Sequence, residues 1–344
     1  MIDGTPRHEM GFLRRTLDWL CLTPLGALLL IFLAVLPFIP PFTQQYLLRW
    51  LTIIALSAAS AIAFDLTAGY INIVNFGFAA ILGLGGYTSA ILAVRTGLSP
   101  WIGMFIGAFA SGLLGFLTGL LTLRLRGIFA AVMAWFIGLA LMGLCIKMVW
   151  LTRGPLGLRV PRLINTSSNE PYYYIMLLVL VIVYVICRWV TRSKMGLAFK
   201  AIGQNMEAAR TSGVNPTYYR IVNFTISCTI AGWLGGFYAH YIGILTPDLM
   251  HTSKTVEVLA VAYIGGRGSL WGGAFLAFPF LIAMELIRSG FSNLSGLHLV
   301  IYGVILILVM IYFPGGVASL YYKFLYKPWG RFWQFMIGYS ENKQ

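Results

Sequence analysis

The chain has 344 residues, of which 59% are hydrophobic and 10% charged, and its mean hydropathy is +0.83. A water-soluble globule of this length would lack polar surface with such a composition, so most of the chain is expected to have lipid as its solvent. The formal net charge of +14 does not indicate nucleic acid, because Lys and Arg lie in short segments between apolar runs, where they set membrane topology. We expect one membrane domain over residues 1–344.

Apolar runs long enough to cross the hydrocarbon core recur along the whole chain. They predict an all-α, polytopic membrane protein with about ten membrane-spanning helices. The expected ranges are 24–41, 47–66, 70–94, 100–123, 128–150, 172–190, 217–242, 255–267, 271–290 and 296–313. Residues 1–23 are interpreted as a cytoplasmic N-terminal segment and residues 318–344 as a cytoplasmic tail.

Basic residues between the spans predict their orientation, because cytoplasmic loops carry an excess of Lys and Arg. A cytoplasmic N-terminus places the basic segments around residues 124, 192 and 323 inside, so both termini are expected to be cytoplasmic. The expected location is the cytoplasmic membrane of a bacterium or archaeon. The loop after the fifth span is an exception, because three of its arginines would face outward: Arg153, Arg159 and Arg162. A topology with one crossing fewer upstream stays open.

Two predicted spans are interrupted by residues that a plain lipid-facing helix would not contain. The third begins with GYINIVNFG and continues through GLGGY, and the short eighth ends in YIGGRGSLWGG. A helix break at membrane depth frees backbone polar groups, which is tolerable only where protein or a wet cavity surrounds them. The alternative is that these glycines allow close helix packing. The predicted solute path comprises Asn72, Asn75, Gly77, Tyr87, Glu257, Tyr263, Gly265 and Gly266.

The two interrupted spans also suggest an internal duplication. If the chain is divided after the fifth span, the halves begin on opposite sides of the membrane, and an interrupted span is third in each half. Inverted repeats around a central pathway have this arrangement. Inverted repeats are therefore a possible organisation of the domain.

The fourth span carries a regular pattern of small residues. Residues four apart share one face of a helix, and small side chains there let another helix approach closely. We assign this face to helix packing and to no chemistry. Its members are Gly103, Gly107, Ser111, Gly115 and Gly119.

The longest polar stretch on the predicted cytoplasmic side is the loop at residues 191–216. Helix-favouring residues run from Leu197 to Arg210, and the helix breakers Gly213 and Pro216 follow. A short surface helix ending in a turn is therefore predicted. Residues Glu207, Ala208 and Ala209 (EAA), followed by Gly213, resemble the coupling-loop motif of permeases in ATP-binding-cassette importers.

Further segments extend this resemblance in the same order: GYINIVNFGFAAILGLGGY, LRLRGIFAAVMAW, WLTRGPLGL, MGLAFKAIGQNMEAARTSGVN, AYIGGRGSLWGGA and FPGGV. From about Leu56 to Val317 the chain resembles the permease family of branched-chain amino acid importers, specifically its M-type subunit. The resemblance implies uptake of branched-chain or other hydrophobic amino acids, with urea or short amides as the alternative solutes. The residues implied to couple the loop to an ATPase are Gly203, Asn205, Glu207, Ala208, Ala209 and Gly213.

The resemblance also implies the rest of an importer. The expected partners are a second homologous permease in a heterodimer, two ATP-binding-cassette subunits, and a periplasmic or extracellular solute-binding protein. The chain contains no GxxxxGK[ST] loop, so ATP is expected to be used by partner subunits, with no cofactor bound here. Scattered histidines and cysteines predict neither a metal site nor an enzyme.

An ion-coupled transporter is the rival reading, because charged groups inside a membrane are costly and usually functional. Asp65 and Lys147 lie near the ends of predicted spans, where side chains are expected to reach the interface. Glu285 can meet Arg288 one helical turn away. Glu257 is the candidate most directly placed in an interrupted span.

Overall fold

The computed structural model describes residues 24–38, 44–122, 125, 128–164, 166, 168–290, 297–312 and 316. The predicted terminal segments 1–23 and 318–344 lie outside the described residues. The helices are α1 (Pro24–Val35), α2 (Gln45–Asp65), α3 (Phe78–Thr96), α4 (Pro100–Thr122), α5 (Ile128–Lys147), α6 (Val149–Thr152), α7 (Glu170–Arg192), α8 (Lys194–Gln204), α9 (Met206–Thr211), α10 (Pro216–Ile242), α11 (Thr252–Gly266), α12 (Trp271–Gly290) and α13 (Leu297–Tyr312).

Three kinds of short element join these helices. A π-helical turn at Leu66–Ile71, here named the π segment, continues α2 without interruption. Turns of 3-10 helix cover Leu36–Phe38, Gly154–Leu156 and Pro247–Met250. Strand β1 (Leu158–Arg159) pairs antiparallel with β2 (Ile244–Leu245).

Within the described residues, six helices are long and apolar enough to cross a membrane. They are α2 with the π segment, α3, α4, α5, α7 and α10. Helices α11 and α12 meet at a bend of 116° and would form a seventh span if counted as one. The fold class is therefore an all-α polytopic membrane protein. The predicted count of ten spans is not confirmed, because α1 and α13 have only 12 and 16 residues.

Helices α3, α4 and α10 pack together most closely, because small residues let their backbones approach. A Cβ atom at Gly107 of α4 would collide with the backbone of Gly85 in α3. The Ser111 hydroxyl donates to the carbonyl of Ile81 at 3.0 Å. Further along α4, Gly115 lies against Cys228 of α10. The stripe of small residues on α4 thus lies in the groove between α3 and α10.

The ends of the helices define two ends of the molecule. The α8 end contains the π segment, helices α8 and α9, and residues 267–270. The β1 end contains β1, β2 and the start of α2, where the Gln45 side chain accepts the amide of Asn169 at 2.7 Å. Helix α2 therefore runs from the β1 end to the α8 end, whereas α10 runs the opposite way.

One arrangement occurs twice in opposite directions. A 27-residue helix, Gln45–Ile71, is followed by the irregular segment 72–77 and then by α3. A second 27-residue helix, Pro216–Ile242, is followed by segment 243–251, which contains β2 and a 3-10 turn and is also called irregular below, and then by α11. Each segment thus connects a full-length helix to a helix that runs back through the body of the protein.

Candidate functional site

The segment 72–77 returns from the α8 end into the helical body. Asn75 is fully buried, and its amide nitrogen lies 3.9 Å from the sulfur of Cys228, halfway along α10. The side-chain Oδ1 of Asn75 accepts the backbone amide of Gly77 at 3.1 Å. Gly77 itself lies against the backbone of Ala134 in α5, where any larger side chain would collide. Irregular backbone at this depth is therefore surrounded by protein, as it must be away from water.

The second irregular segment lies along α3. The Tyr87 hydroxyl, which is buried, donates to the carbonyl of Leu245 at 3.5 Å. Near the start of α3, the amide of Ala79 donates to the hydroxyl of Thr255 at 3.1 Å, and Thr255 lies in the first turn of α11. The first amides of a helix have no partner within it, so Thr255 satisfies a donor that would otherwise be buried and unpaired. The segment 243–251 thus lies beside α3, and α11 begins beside the start of α3.

A second cluster lies at the α8 end, where Asp65 connects α2 to the corner between α11 and α12. Asp65 is only 3% exposed. Its two carboxylate oxygens accept the backbone amides of Gly268 at 2.9 Å and Leu270 at 3.2 Å. The sequence interpretation that Asp65 reaches the membrane interface is wrong, because these two amides hold the carboxylate inside the protein.

Arg267 connects the same corner to the π segment. Its Nε donates to the carbonyl of Ala68 at 3.0 Å, and its Nη2 donates to the side-chain carbonyl of Asn72. Asn72 has a left-handed backbone with φ of 67°, a conformation that asparagine tolerates better than most residues. The guanidinium also lies 5.7 Å from the ring centre of Tyr263. Asp65 and Arg267 together fix the corner to the end of the long helix.

The π segment also contacts the loop between α7 and α10. A Cβ atom at Gly203 of α8 would collide with the carbonyl oxygen of Tyr70. The side-chain Nδ2 of Asn72 donates to the Gly203 carbonyl at 3.5 Å. The Lys200 ammonium lies 5.6 Å from the Tyr70 ring centre. From α10, Asn223 donates to the carbonyl of Leu66 at 2.9 Å. The π segment is therefore in contact with α8, α10 and the α11–α12 corner.

Helix α9 begins and ends with defined caps. The Asn205 side chain accepts the amides of Glu207 at 3.0 Å and Ala208 at 3.1 Å. Gly213 follows with φ of 85°, a left-handed conformation that glycine adopts without strain. The turn brings α9 beside the start of α10, and an open groove of about 520 Å³ lies between them. Its lining includes Glu207, Arg210, Gly213 and Thr217.

The structure therefore divides the predicted path residues between the two clusters. Asn75, Gly77 and Tyr87 are buried along the irregular segments. Asn72 and Tyr263 surround Arg267 at the α8 end. Two glycines, Gly265 and Gly266, lie in the last turn of α11, and a Cβ atom at Gly265 would collide with the backbone of Gly273 in α12. Glu257 forms an ion pair with Lys254 at 2.9 Å.

Sequence reasoning missed three residues that connect these elements: Thr255, Arg267 and Asn223. The glycine-rich sequence around Arg267 predicted an interruption at the α11–α12 corner. The sequence alone does not show which backbone carbonyls the Arg267 guanidinium will bind. The other ionisable candidates lie elsewhere. Lys147 is exposed at the end of α5, and the side chain of Arg288 lies outside the described residues.

Comparison with known proteins identifies the kind of protein that has this arrangement. The family model described as "Branched-chain amino acid transport system / permease component" matches residues 46–310, which is more than half of the chain. The chain belongs to this family. The match of the permease family covers both irregular segments, the loop with α8 and α9, and the α11–α12 corner.

Individual members of the permease family show how close the relationship is. The chain is 28% identical over 285 residues to the high-affinity branched-chain amino acid transport system permease protein LivM of Salmonella typhimurium, and 27% identical to LivM of Escherichia coli. Each alignment covers 74% of this chain and 66% of the relative. It is 23% identical to the fructose import permease protein FrcC of Rhizobium meliloti, over 72% of both chains. No solved structure matches the chain.

Proposed function

We propose that this chain is the permease subunit of an ATP-binding-cassette importer for branched-chain or other hydrophobic amino acids. The observation that carries the proposal is the family match over residues 46–310. The similarity to two LivM permeases supports an amino acid as the solute. A sugar is the second candidate, because FrcC is similar over nearly as much of the chain.

In this proposal, the loop with α8 and α9 docks on an ATP-binding-cassette subunit in the cytoplasm. The capped α9 and the groove beside it give that subunit a rigid, shaped contact. Glu207, Ala208, Ala209 and Gly213 are the proposed coupling residues, with Gly203 and Asn205 preceding them. Both termini are then cytoplasmic, and the β1 end faces outward.

The π segment is the proposed link between this loop and the rest of the permease. Gly203 lies against the π segment, and the π segment is bound to the α11–α12 corner through Arg267. Closely packed, hydrogen-bonded contacts transmit displacement better than a flexible loop does, because closely packed elements cannot deform independently. A movement of α8 would therefore shift the corner and α11 with it.

The proposed solute path follows the start of α3, between this chain and a second permease. Two long helices run in opposite directions, and each is followed by an irregular segment, which supports an inverted repeat. Transporter sites commonly lie where such broken elements meet. Asn75 and Tyr87 are buried in this conformation, so the path must open before the uncharged polar groups of Asn75, Tyr87 and Tyr263 can hold a zwitterion weakly enough to release it. The partner permease and a solute-binding protein would complete the path.

The first experiment is purification of the tagged chain from its native membrane in mild detergent, followed by mass spectrometry of the bound proteins. Recovery of ATP-binding-cassette subunits and a second permease is expected. Recovery of the chain alone, together with uptake driven by an ion gradient and not by ATP, would overturn the proposal in favour of ion coupling.

Reconstitution of the purified complex in vesicles then tests coupling and solute. The double variant Glu207→Lys with Gly213→Trp should abolish ATP-driven uptake while the permease still accumulates in the membrane. A matched control, Arg192→Lys, keeps the charge at the end of α7 and should transport normally. Uptake of radiolabelled leucine is expected; uptake of fructose but not leucine would assign the sugar alternative.

A further inference from the structure

A groove at the β1 end is separate from the coupling loop and from the proposed solute path. It has a volume of about 660 Å³, within the range of roughly 300–1,000 Å³ usual for small-molecule sites. Its lining combines two cations with apolar side chains and contains no acidic residue. The lining residues are Val149, Arg153, Leu156, Gly157, Arg159 and Ile244.

The position of the groove along the membrane normal follows from α5. This helix has 20 residues, so at about 1.5 Å per residue it spans roughly the 30 Å of a hydrocarbon core. Residues 149–159 follow directly and therefore lie at the level of the lipid headgroups. Trp150, 70% exposed, agrees with this level, because tryptophan concentrates at membrane interfaces. Arg95, at the end of α3, donates to the Trp150 carbonyl and lies over its ring.

The helix that leads into this segment, α5, has a surface suited to acyl chains. Only 28% of the span formed by α5 is buried, the lowest share among the six candidate spans of the described residues. Its exposed face is apolar along its length, with Phe129, Phe136 and Leu144 all exposed. Leu156 at the mouth of the groove is 85% exposed, which is costly in water and favourable against lipid.

The backbone that carries Arg153 is held in place. Arg153 has φ of 60°, which is uncommon for a residue with a side chain. The Thr152 hydroxyl donates to the carbonyl of Cys145 at 2.6 Å and accepts the amide of Gly154 at 3.1 Å. On the other side of the groove, Arg159 is fixed by the pairing of β1 with Ile244 in β2. The two cations are thus presented by rigid elements.

We propose that this groove binds an anionic phospholipid, with its phosphate between Arg153 and Arg159 and its acyl chains along the exposed face of α5. Arginine suits this role because its planar guanidinium pairs with phosphate oxygens in a bidentate manner. A bound anionic lipid would also explain why Arg153 and Arg159 lie at the β1 end, where the positive-inside tendency disfavours basic residues. The proposal rests on the membrane location of the chain and on the proposed outward orientation of the β1 end, and it does not depend on the transported solute.

The test uses the purified full-length chain in nanodiscs of phosphatidylcholine, with phosphatidylglycerol added in increasing amounts. Native mass spectrometry measures the retained phosphatidylglycerol, and the unfolding midpoint measures the stabilisation that it gives. The double variant Arg153→Gln with Arg159→Gln should bind about 25-fold more weakly, roughly fivefold per arginine. Arg162→Gln is the control, because Arg162 donates to the Thr166 carbonyl at 3.3 Å and does not line the groove.

Three results would overturn the proposal. One is equal retention of phosphatidylglycerol by the double variant and the wild type. Another is equal stabilisation by soluble inorganic phosphate, which would assign the groove to a free anion. The third is normal lipid binding in the double variant with loss of stimulation by a solute-binding protein, which would make the groove a protein contact. Lipid binding is measured without transport, so failure of the importer proposal would be seen separately.

Discussion

A carboxylate oxygen of Asp65 accepts the backbone amide of Gly268 at 2.9 Å, although 203 positions separate the two residues in the chain. The other oxygen accepts the amide of Leu270, so one side chain holds both ends of the turn at which α11 and α12 diverge by 116°. Charged acceptors make stronger hydrogen bonds than neutral ones. The bend is therefore fixed to a helix that lies far away in sequence.

Replacing Asp65 by asparagine should destabilise this turn. The carboxamide would present an N–H donor towards one of two backbone donors, leaving an amide unsatisfied in a buried place. A loss of about 1–3 kcal/mol in the free energy of unfolding is expected. Thermal unfolding of the purified protein in detergent measures it. The exposed Asp248→Asn is the control, and equal midpoints for both variants would show that the Asp65 charge is dispensable.

Replacing Gly203 by alanine should separate α8 from the π segment, because the added methyl group collides with the Tyr70 carbonyl. Overpacking of this kind costs roughly 1–3 kcal/mol. ATP-driven uptake should fall, whereas the amount of protein in the membrane should not. Gly143→Ala is the matched control, since a Cβ atom there meets nothing within 4 Å. Normal uptake by Gly203→Ala would show that this contact does not transmit movement.

Replacing Asn205 by alanine removes the N-terminal cap of α9. Loss of such a cap costs about 1 kcal/mol, concentrated in the first turn of the helix. The expected effect is weaker coupling, seen as more ATP hydrolysed per solute transported in vesicles. Asn205→Asp retains a side-chain acceptor and should restore the wild-type ratio. If both variants give the same ratio as the wild type, the geometry of α9 is irrelevant to coupling.

Replacing Gly107 by valine should disrupt the centre of the fold. The branched side chain cannot fit against the backbone of Gly85, so α3 and α4 must move apart. We expect little folded protein in the membrane, measured by fluorescence-detected size-exclusion chromatography of a tagged chain. Gly303→Val in α13 is the control, because that position has open space around it. A monodisperse Gly107→Val protein would show that the close approach is not required.

The helical, membrane-embedded fold could be predicted from the sequence because a lipid-exposed segment must be apolar over its full length. The number of crossings could not, since hydropathy does not show where a chain bends. The glycines near residue 268 marked the corner correctly. The π segment was not predicted, because the sequence ranges end the second span at residue 66 and begin the third at residue 70, whereas Leu66–Ile71 continues α2.

The candidate site was harder to predict than the fold. Asn75 was recognised as an asparagine at membrane depth, but its neighbour Cys228 is fixed by tertiary packing alone. Asp65 was misplaced for the same reason, because its position near a helix end suggests access to solvent. Its partners come from a turn that the spacing of residues along the chain does not connect to it. Sequence patterns identify candidate groups, whereas packing decides which of them meet.

The π segment makes this region sensitive to the number of residues as well as to their identity. In a π turn the hydrogen bond spans five residues, as between the Thr67 carbonyl and the Asn72 amide, so it contains one residue more than an α turn. Removing one residue would rotate Asp65 by about 100° relative to Asn72. Arg267 and Gly268 could then no longer be bound from one face. Among homologous sequences, insertions and deletions in Leu66–Ile71 are not expected. Substitutions are expected except at Gly69, where a Cβ atom would collide with the Asp65 carboxylate and the Gly268 amide.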